Sequence, residues 1–466
     1  MFKGIAPGIG IALCGPAVAQ AVPEAWQPPT LTITRYDEDW SKLADPAERT
    51  GHWTERFKYI PLREDGYATT GFEFRLRNED YHDNLWGGAA APNDGYLWIR
   101  AIPHADLHAG RVRAFVQPVA AFAIGVKPAA SPVDQTRADL LQGFVDVRLG
   151  DARTGDTRSS GVTLRAGRQM LSLGTERLIG TRYGPNVPLA FDGFRALVSL
   201  NGAALSILAV RPVQPGPRSF DDRRSSTKSL WGAYATIPGS TGGLDLYYLG
   251  FRNTQARYGG RTRRELRHSV GARWFGNHDD WHWNVEGVGQ LGRFDGGSIV
   301  AWTVGTEVGQ RFPTNRVKPD LMLRVNYASG DRNPADKRLG TFNALFPKGK
   351  YFGELSPVGP YNLININPQA SATLGGGVSA TLAAMAYWRA ARGDGVYDIP
   401  GNLIRAPAAS RARFVGREVE ASIAWQATAE WELSTSLSAF VPGAFIRQTG
   451  RARTITMLGL ESNFRF

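Results

Sequence analysis

The strongest constraint on this chain is a two-residue alternation of apolar and polar side chains that recurs along most of its length. Phe72, Phe74 and Leu76 alternate with Glu73, Arg75 and Arg77, and Val112, Ala114 and Val116 with Arg111, Arg113 and Gln117. Trp281, Trp283 and Val285 alternate with His282, Asn284 and Glu286, and Val419, Ala421 and Ile423 with Glu418, Glu420 and Ser422. Successive side chains of a strand point to opposite faces, so each run is a strand with one apolar and one polar face. The runs are near the roughly 9–11 residues that a tilted strand needs to cross a bilayer. No later segment approaches the ~18 consecutive apolar residues of a membrane-spanning helix. Two-faced strands without apolar runs fit one membrane architecture, a closed barrel with lipid outside and water inside. The expected fold is all-β, a transmembrane antiparallel up-and-down β-barrel of about 18 strands, with sixteen as the alternative. The segments near 138–149 and 361–374 carry the weakest strand pattern.

Long and short connections tend to alternate. The long ones fall at 78–94, 169–190, 211–228, 252–265, 330–361 and 389–415. Tight turns fall at Asn201-Gly202-Ala203, Asn277–Asp280, Gly375-Gly376-Gly377 and Thr428-Ala429. Long external loops and short periplasmic turns are the habit of transmembrane barrels, and an even strand count puts both chain ends in the periplasm. Lys3, the apolar stretch Ile5 to Leu13 and Ala17-Val18-Ala19 have the form of a secretory leader. The expected division is a signal peptide at 1–19, an N-terminal periplasmic or lumenal segment at 20–68 and the barrel at 69–466. Cleavage after Ala19 would start the mature chain at Gln20 and remove Cys14, its one cysteine, and with it any disulfide or thiolate metal site. At the other end Leu458, Leu460, Phe464 and Phe466 oppose Glu461, Asn463 and Arg465. This resembles the terminal strand recognised by the outer-membrane assembly machinery. The expected surroundings are therefore that machinery, lipid and lipopolysaccharide, in the outer membrane of a Gram-negative bacterium.

Signals for enzymatic chemistry are weak. Gly287-Val288-Gly289-Gln290-Leu291-Gly292 has the spacing of a dinucleotide loop but sits inside an alternating strand. Gly349-Lys350 lacks the Ser or Thr that completes a phosphate-binding loop. His104, Asp106 and His108 share a strand face near a turn and read as a solvated cluster, so neither a metal nor another cofactor is expected. Charge is the better lead. Of 54 basic residues 9 are Lys, leaving 54 − 9 = 45 Arg, and the net charge is +12. Codon bias explains arginine over lysine, but not the positive excess. Arg75, Arg77, Arg113, Arg165, Arg195, Arg273, Arg324 and Arg389 fall on polar strand phases, which places them in the lumen. Guanidinium groups stay ionised and match carboxylates, so such a lumen favours anions. The charge is spread over strands and not gathered in a patch, which argues against nucleic acid.

Two loop blocks carry a family resemblance. The first runs through Gly167-Arg168-Gln169, Gly174, Arg177-Leu178, Gly184-Pro185-Asn186 and Phe191-Asp192-Gly193. The second runs through Ser329-Gly330-Asp331, Asn333-Pro334, Asp336, Gly340-Thr341-Phe342-Asn343, Leu345-Phe346-Pro347 and Tyr351-Phe352-Gly353. With Arg35-Tyr36-Asp37-Glu38-Asp39-Trp40 and Lys58-Tyr59-Ile60-Pro61-Leu62 they resemble the alginate export porins over residues 33–466. The resemblance implies a monomeric 18-stranded barrel whose arginine-rich constriction passes an anionic polyuronate or other acidic solute. It places Arg168, Arg182, Asn186, Asp192 and Arg195 on or beside an in-folded loop at that constriction, with Asp192 paired to one flanking arginine. Two positions depart from the family. Met170 stands where an acidic residue is common, and the turn at Thr428-Ala429 is too short for a periplasmic plug. The expected function is passive passage, in the export direction, of an anionic polysaccharide such as alginate. The alternatives are an uptake porin for small acidic solutes and an outer-membrane enzyme acting on lipid.

Overall fold

The computed structural model describes residues 29–62, 66–150 and 160–466, so the expected leader and its cleavage site lie outside the described residues. Eighteen antiparallel strands make the wall. They are β1 (Gly66–His82), β2 (Asp94–Ala109), β3 (Val112–Ile124), β4 (Arg137–Leu149), β5 (Gly161–Met170) and β6 (Ala190–Leu200). Then come β7 (Ala203–Gln214), β8 (Lys228–Pro238), β9 (Gly242–Tyr258), β10 (Arg261–His278), β11 (Trp281–Phe294) and β12 (Gly297–Arg311). The last are β13 (Asp320–Ala328), β14 (Leu363–Gly375), β15 (Val378–Arg389), β16 (Phe414–Gln426), β17 (Trp431–Pro442) and β18 (Ile455–Arg465). Each pairs with the next, and β18 pairs with β1 from Glu73↔Arg465 to His82↔Thr456. That last ladder closes the sheet, so no strand edge faces lipid. The two weakly patterned segments form β4 and β14.

At the end of the barrel where β1 begins and β18 ends, most links are short, as at 110–111, 201–202, 239–241, 279–280, 376–377 and 427–430. At the other end they run to 171–189, 329–362 and 390–413. The expected long connection at 252–265 is instead a hairpin. β9 and β10 pair as far as Tyr258↔Arg261, because Gly259 and Gly260, at φ +55° and +75°, close a two-residue turn that the arginines around it disguise.

The two strand faces differ as the alternation requires. Val116, Val145, Leu246, Leu291, Val304, Leu323, Leu437 and Leu460 are exposed, whereas Arg77, Arg100, Arg113, Arg165 and Arg267 are buried. Such a surface would be inside out in water, and it is the right way round in a bilayer. Trp274, Trp281, Trp425 and Trp431 lie exposed near the short-turn ends of their strands, as an interfacial aromatic girdle would. No helix among the described residues is long and apolar enough to cross a membrane, so the strands are the crossing elements.

The apolar core lies inside the ring. Leu178, Ile179, Phe342 and Phe346 pack on Phe191, Tyr247 and Phe251 of the wall, and Phe352 and Leu355 pack on Tyr387 and Phe440. Before β1, three short 3-10 turns at Ser41–Ala44, Pro46–Glu48 and Trp53–Phe57 lead into the barrel.

This arrangement has a direct test. Val304 sits on the outer face, while its neighbour Thr303 is buried on the inner one. Val304→Arg should destabilise the folded barrel by about 2–4 kcal/mol in lipid vesicles, the cost of a cation near the bilayer midplane. Urea titration followed by tryptophan fluorescence measures it, and an unchanged midpoint would place this face away from lipid.

Candidate functional site

The two longest motif-bearing loops meet each other inside the barrel. Gly180 N–H donates to Phe346 O and Phe346 N–H to Leu178 O, both at 2.8 Å, and Lys348 N–H donates to Glu176 O at 3.0 Å. Together with a parallel bridge at Ile179 and Phe346, these bonds make a short ladder between loops 171–189 and 329–362. At one end Arg75 of β1 donates to Tyr183 O and Pro185 O at 3.2 and 2.9 Å. Arg100 of β2 donates to the same two carbonyls at 3.0 and 3.1 Å, lies 4.2 Å from the Tyr183 ring and pairs with Glu73 at 2.7 Å. Toward the other end Arg177 donates to Glu286 at 3.0 Å on β11, to Asn326 at 3.1 Å on β13 and to the Tyr351 hydroxyl at 2.9 Å. A Cβ at Gly305 would collide with this guanidinium, so glycine opens the wall to it. A loop that touches β1, β2, β11 and β13 together can do so only from the lumen. The two loops therefore form a crosspiece spanning the interior.

Asn186 pins the crosspiece to the wall. Its amide donates to Phe122 O and Asp134 O, both at 2.9 Å. The crosspiece leaves the wall early because β5 and β6 end at Met170 and Ala190. Met170 is buried among Ile102, Val119, Leu141 and Val187, so no charge enters the lumen at this position.

Most of the arginines singled out in the sequence are neutralised. Arg77 meets Glu354 and Glu461 at 2.7 Å each, as well as Glu79. Arg113 pairs with Asp106 at 2.6 Å, Arg273 with Asp245 at 2.7 Å and Arg324 with Glu307 at 2.7 Å. Although burial opposes it, Lys350 and Arg77 hold the Glu354 carboxyl down at about 2. Arg389 acts differently, because it donates to the carbonyls of Arg392, Asp394, Ser410 and Ala412 and so ties down the 390–413 loop.

Several interior cations have no carboxylate within ion-pair distance among the described residues, Arg75, Arg182, Arg195, Lys228 and Lys348 among them. Arg182 Nε donates only to Pro347 O, at 3.3 Å, and Arg195 Nε to Ser206 Oγ, at 2.6 Å. Lys348 is pushed below its ordinary range by burial and by neighbouring Arg324, against the pull of Glu307 and Glu176. Burial likewise lowers Arg182, with Tyr361 and Asp398 opposing. Lys228 and Lys348 carry no sequence signal of this kind, because neither lies in a regular polar-phase run. Arg100 could have been found, since it shares the polar phase of β2 and pairs across with Arg75.

Two expected lumenal residues lie on the other face. Arg168 and Asp192 do pair, at 2.8 Å, but they sit opposite each other one residue out of phase with the facing pair Arg165 and Arg195. Their ladder neighbours on either side are Gly143 and the exposed Arg211, on the outer phase of the wall, and Asp222 O of the 215–227 loop caps Arg168 at 3.4 Å. Strand alternation thus removes them from the constriction.

Metal-like groupings are similarly spent. Asp106 serves Arg113 and His108, while His104 stacks on Phe115. Asp139, Asp221 and Asp222 lie together, but Arg168 approaches Asp139 at 3.6 Å and Thr136 and Gly216 donate to Asp222.

A closed barrel with an outer apolar belt and a polar lumen crossed by loops defines an outer-membrane channel of the porin class, located in the outer membrane of a Gram-negative bacterium. The alginate export family model matches residues 66–457, and the chain belongs to that family. A search of curated protein sequences gave no match. Among solved structures, the fold is similar to Pseudomonas aeruginosa OccK2 (OpdF) in complex with glucuronate, at a TM-score of 0.57 and 13% identity over 86% of this chain and 98% of that one. It is also similar to Pseudomonas aeruginosa OpdK with vanillate, at a TM-score of 0.55 and 12% identity over 85% of this chain and 98% of that one.

The crosspiece can be loosened at one point. Arg177→Ala leaves Glu286 buried beside the Tyr247 hydroxyl without its cation. Removing one partner of a buried pair costs about 3–5 kcal/mol. The expected result is a folded barrel with noisier single-channel current, and a quiet trace identical to wild type would show that Arg177 does not hold the loop.

Proposed function

We propose that this channel passes an acidic polysaccharide of the alginate type outward across the membrane, passively and as a single closed barrel. Family membership supports the substrate class. The observation that carries the reading is the set of unneutralised cations beside the crosspiece, Arg182, Lys228 and Lys348 among them. Arginines already held by carboxylates contribute little net field, so the surplus decides selectivity. A long polyanion must keep moving, which calls for weak and replaceable contacts at several sites. Salt in a wet lumen screens each charge within about 8 Å at physiological ionic strength, so the attraction is local.

A second reading has a specific observation behind it: the two similar structures carry glucuronate and vanillate, both small carboxylates. Proteoliposomes separate the two. Alginate oligomers released faster than glucuronate support polymer passage, whereas glucuronate flux alone supports small-solute uptake. The cations have their own test. Arg182→Glu combined with Lys348→Glu should abolish or invert anion preference in reversal potentials at low salt, with the effect shrinking at high salt. An unchanged reversal potential would remove both residues from the conduction path.

A further inference from the structure

The N-terminal segment enters the lumen from the end opposite the long loops. The Tyr36 hydroxyl donates to Met170 O at 2.7 Å, and Gln142 Nε2 donates to Thr34 O at 3.3 Å. The Tyr36 ring stands edge-on to Phe115 and Phe144, at centroid distances of 6.0 and 5.3 Å, with the Arg165 guanidinium 4.3 Å from its centre. Arg35 and Lys58 reach the end of β18 and the adjoining β1, donating to Phe466 O at 2.7 Å and Thr70 O at 3.1 Å. Trp53 and Phe57 pack on the Phe466 ring at the rim. The segment thus lies across the inner face of the adjoining strands from β18 through β1 to β5, at the height where the crosspiece begins.

Its seat is poorly matched. Arg35 Nη1, His104 Nδ1 and Arg165 Nη1 are buried without a hydrogen bond, as are both amide atoms of Gln169 on the same strand face as Arg165. Permanent contacts seldom leave so many polar atoms orphaned in one place. We propose that residues 29–62 are a removable plug, and that Tyr36 stands where a sugar ring of the transported acidic polymer stands once the plug has left. The plug itself is independent of the substrate reading; the identity of the sugar rests on it. Phe115 and Phe144, stacked on each other at 5.2 Å, offer apolar contact to sugar C–H groups where Tyr36 now meets them. Arg195, which has no carboxylate partner, suits a carboxylate, while Arg165, whose Nε and Nη2 are held by Asp146 at 2.8 Å, keeps Nη1 for a sugar oxygen, and His104 and Gln169 suit hydroxyls. Asp37 and Asp39 stay exposed on the seated segment, so an incoming polyanion meets like charge until the segment moves.

Full-length Tyr36→Ala in planar bilayers should raise KCl conductance about threefold by clearing the path, with the fast gel mobility of a folded barrel retained. A cleavable thiol cross-link between Thr34→Cys and Gln142→Cys should hold conductance at the wild-type level and abolish spontaneous opening until it is cut. This second pair decides the matter if Tyr36→Ala does not fold. Wild-type conductance in Tyr36→Ala, or a cross-link without effect, overturns the plug. For the seat, an alginate hexasaccharide should block Tyr36→Ala at about fivefold lower concentration than it blocks Tyr36→Ala carrying Phe144→Ala, through the lost ring contact. Equal block overturns the sugar seat. Raised KCl conductance with no block by the hexasaccharide keeps the plug and overturns the polymer reading.

Discussion

Everything in this molecule depends on the rule that a strand in lipid leaves no backbone hydrogen bond unpaired. The ladder between β1 and β18 satisfies the last exposed edge, and it makes the wall a cylinder. Closure then sorts every strand residue into lipid or lumen by parity alone. Apolar groups gain by turning inward only where the loops cover them, as at Phe191 and Tyr387, so the rest of the lumen collects the charges, and those charges must be settled among themselves.

They are settled mostly in pairs, and the pairs are what position the loops. Arg100 is held by Glu73 while it grips Tyr183 and Pro185, and Arg177 is held by Glu286 while it crosses Gly305. In low dielectric an unmatched charge is costly, so a buried pair persists only with good geometry and further hydrogen bonds. The loops supply those bonds through their carbonyls and hydroxyls. On the proposed function, selectivity would be left to the few cations outside this network, and an arginine-rich interior could then combine a rigid crosspiece with weak ligand contacts.

Much of the fold was legible because parity is a strong signal. Alternation along Phe72–Arg77 or Val419–Trp425 needs no tertiary information, and it yielded the barrel and its approximate strand number. The site was less legible. Arg77, Arg113, Arg273 and Arg324 were placed on the inner phase from the pattern, but apart from Glu79 beside Arg77 their carboxylate partners lie on other strands or on loops, beyond any local period. The Arg168–Asp192 pair shows the limit most clearly. Proximity to the loop motif suggested the lumen, whereas one step of register put the pair outside. The long hairpin at Tyr258–Arg261 was hidden for a related reason: there the inner face carries the buried Ala256 and Tyr258 and the outer face the exposed Gln255 and Arg257, which inverts the apolar-out pattern of the rest of the wall.

Polar satisfaction also separates the two inserts that occupy the lumen. The crosspiece has most of its anchoring groups engaged: the Glu176 carboxylate takes Thr181, Arg177 takes three partners and Asn343 lies between Gln290 and Glu265, with Asn186 Oδ1 left over. The N-terminal insert is anchored through Tyr36, Arg35 and Lys58, yet the wall around it keeps unused donors and acceptors. Burial pushes Lys58 down to about 7, with Arg35 adding to the effect and Glu38 opposing it. An ammonium that loses affinity for its proton on seating makes the seated state less favourable below the ordinary lysine range than packing alone would. The penalty grows as pH falls from that range toward 7 and is constant below it. One insert is therefore built as part of the wall, and the other is built with a reason to leave it.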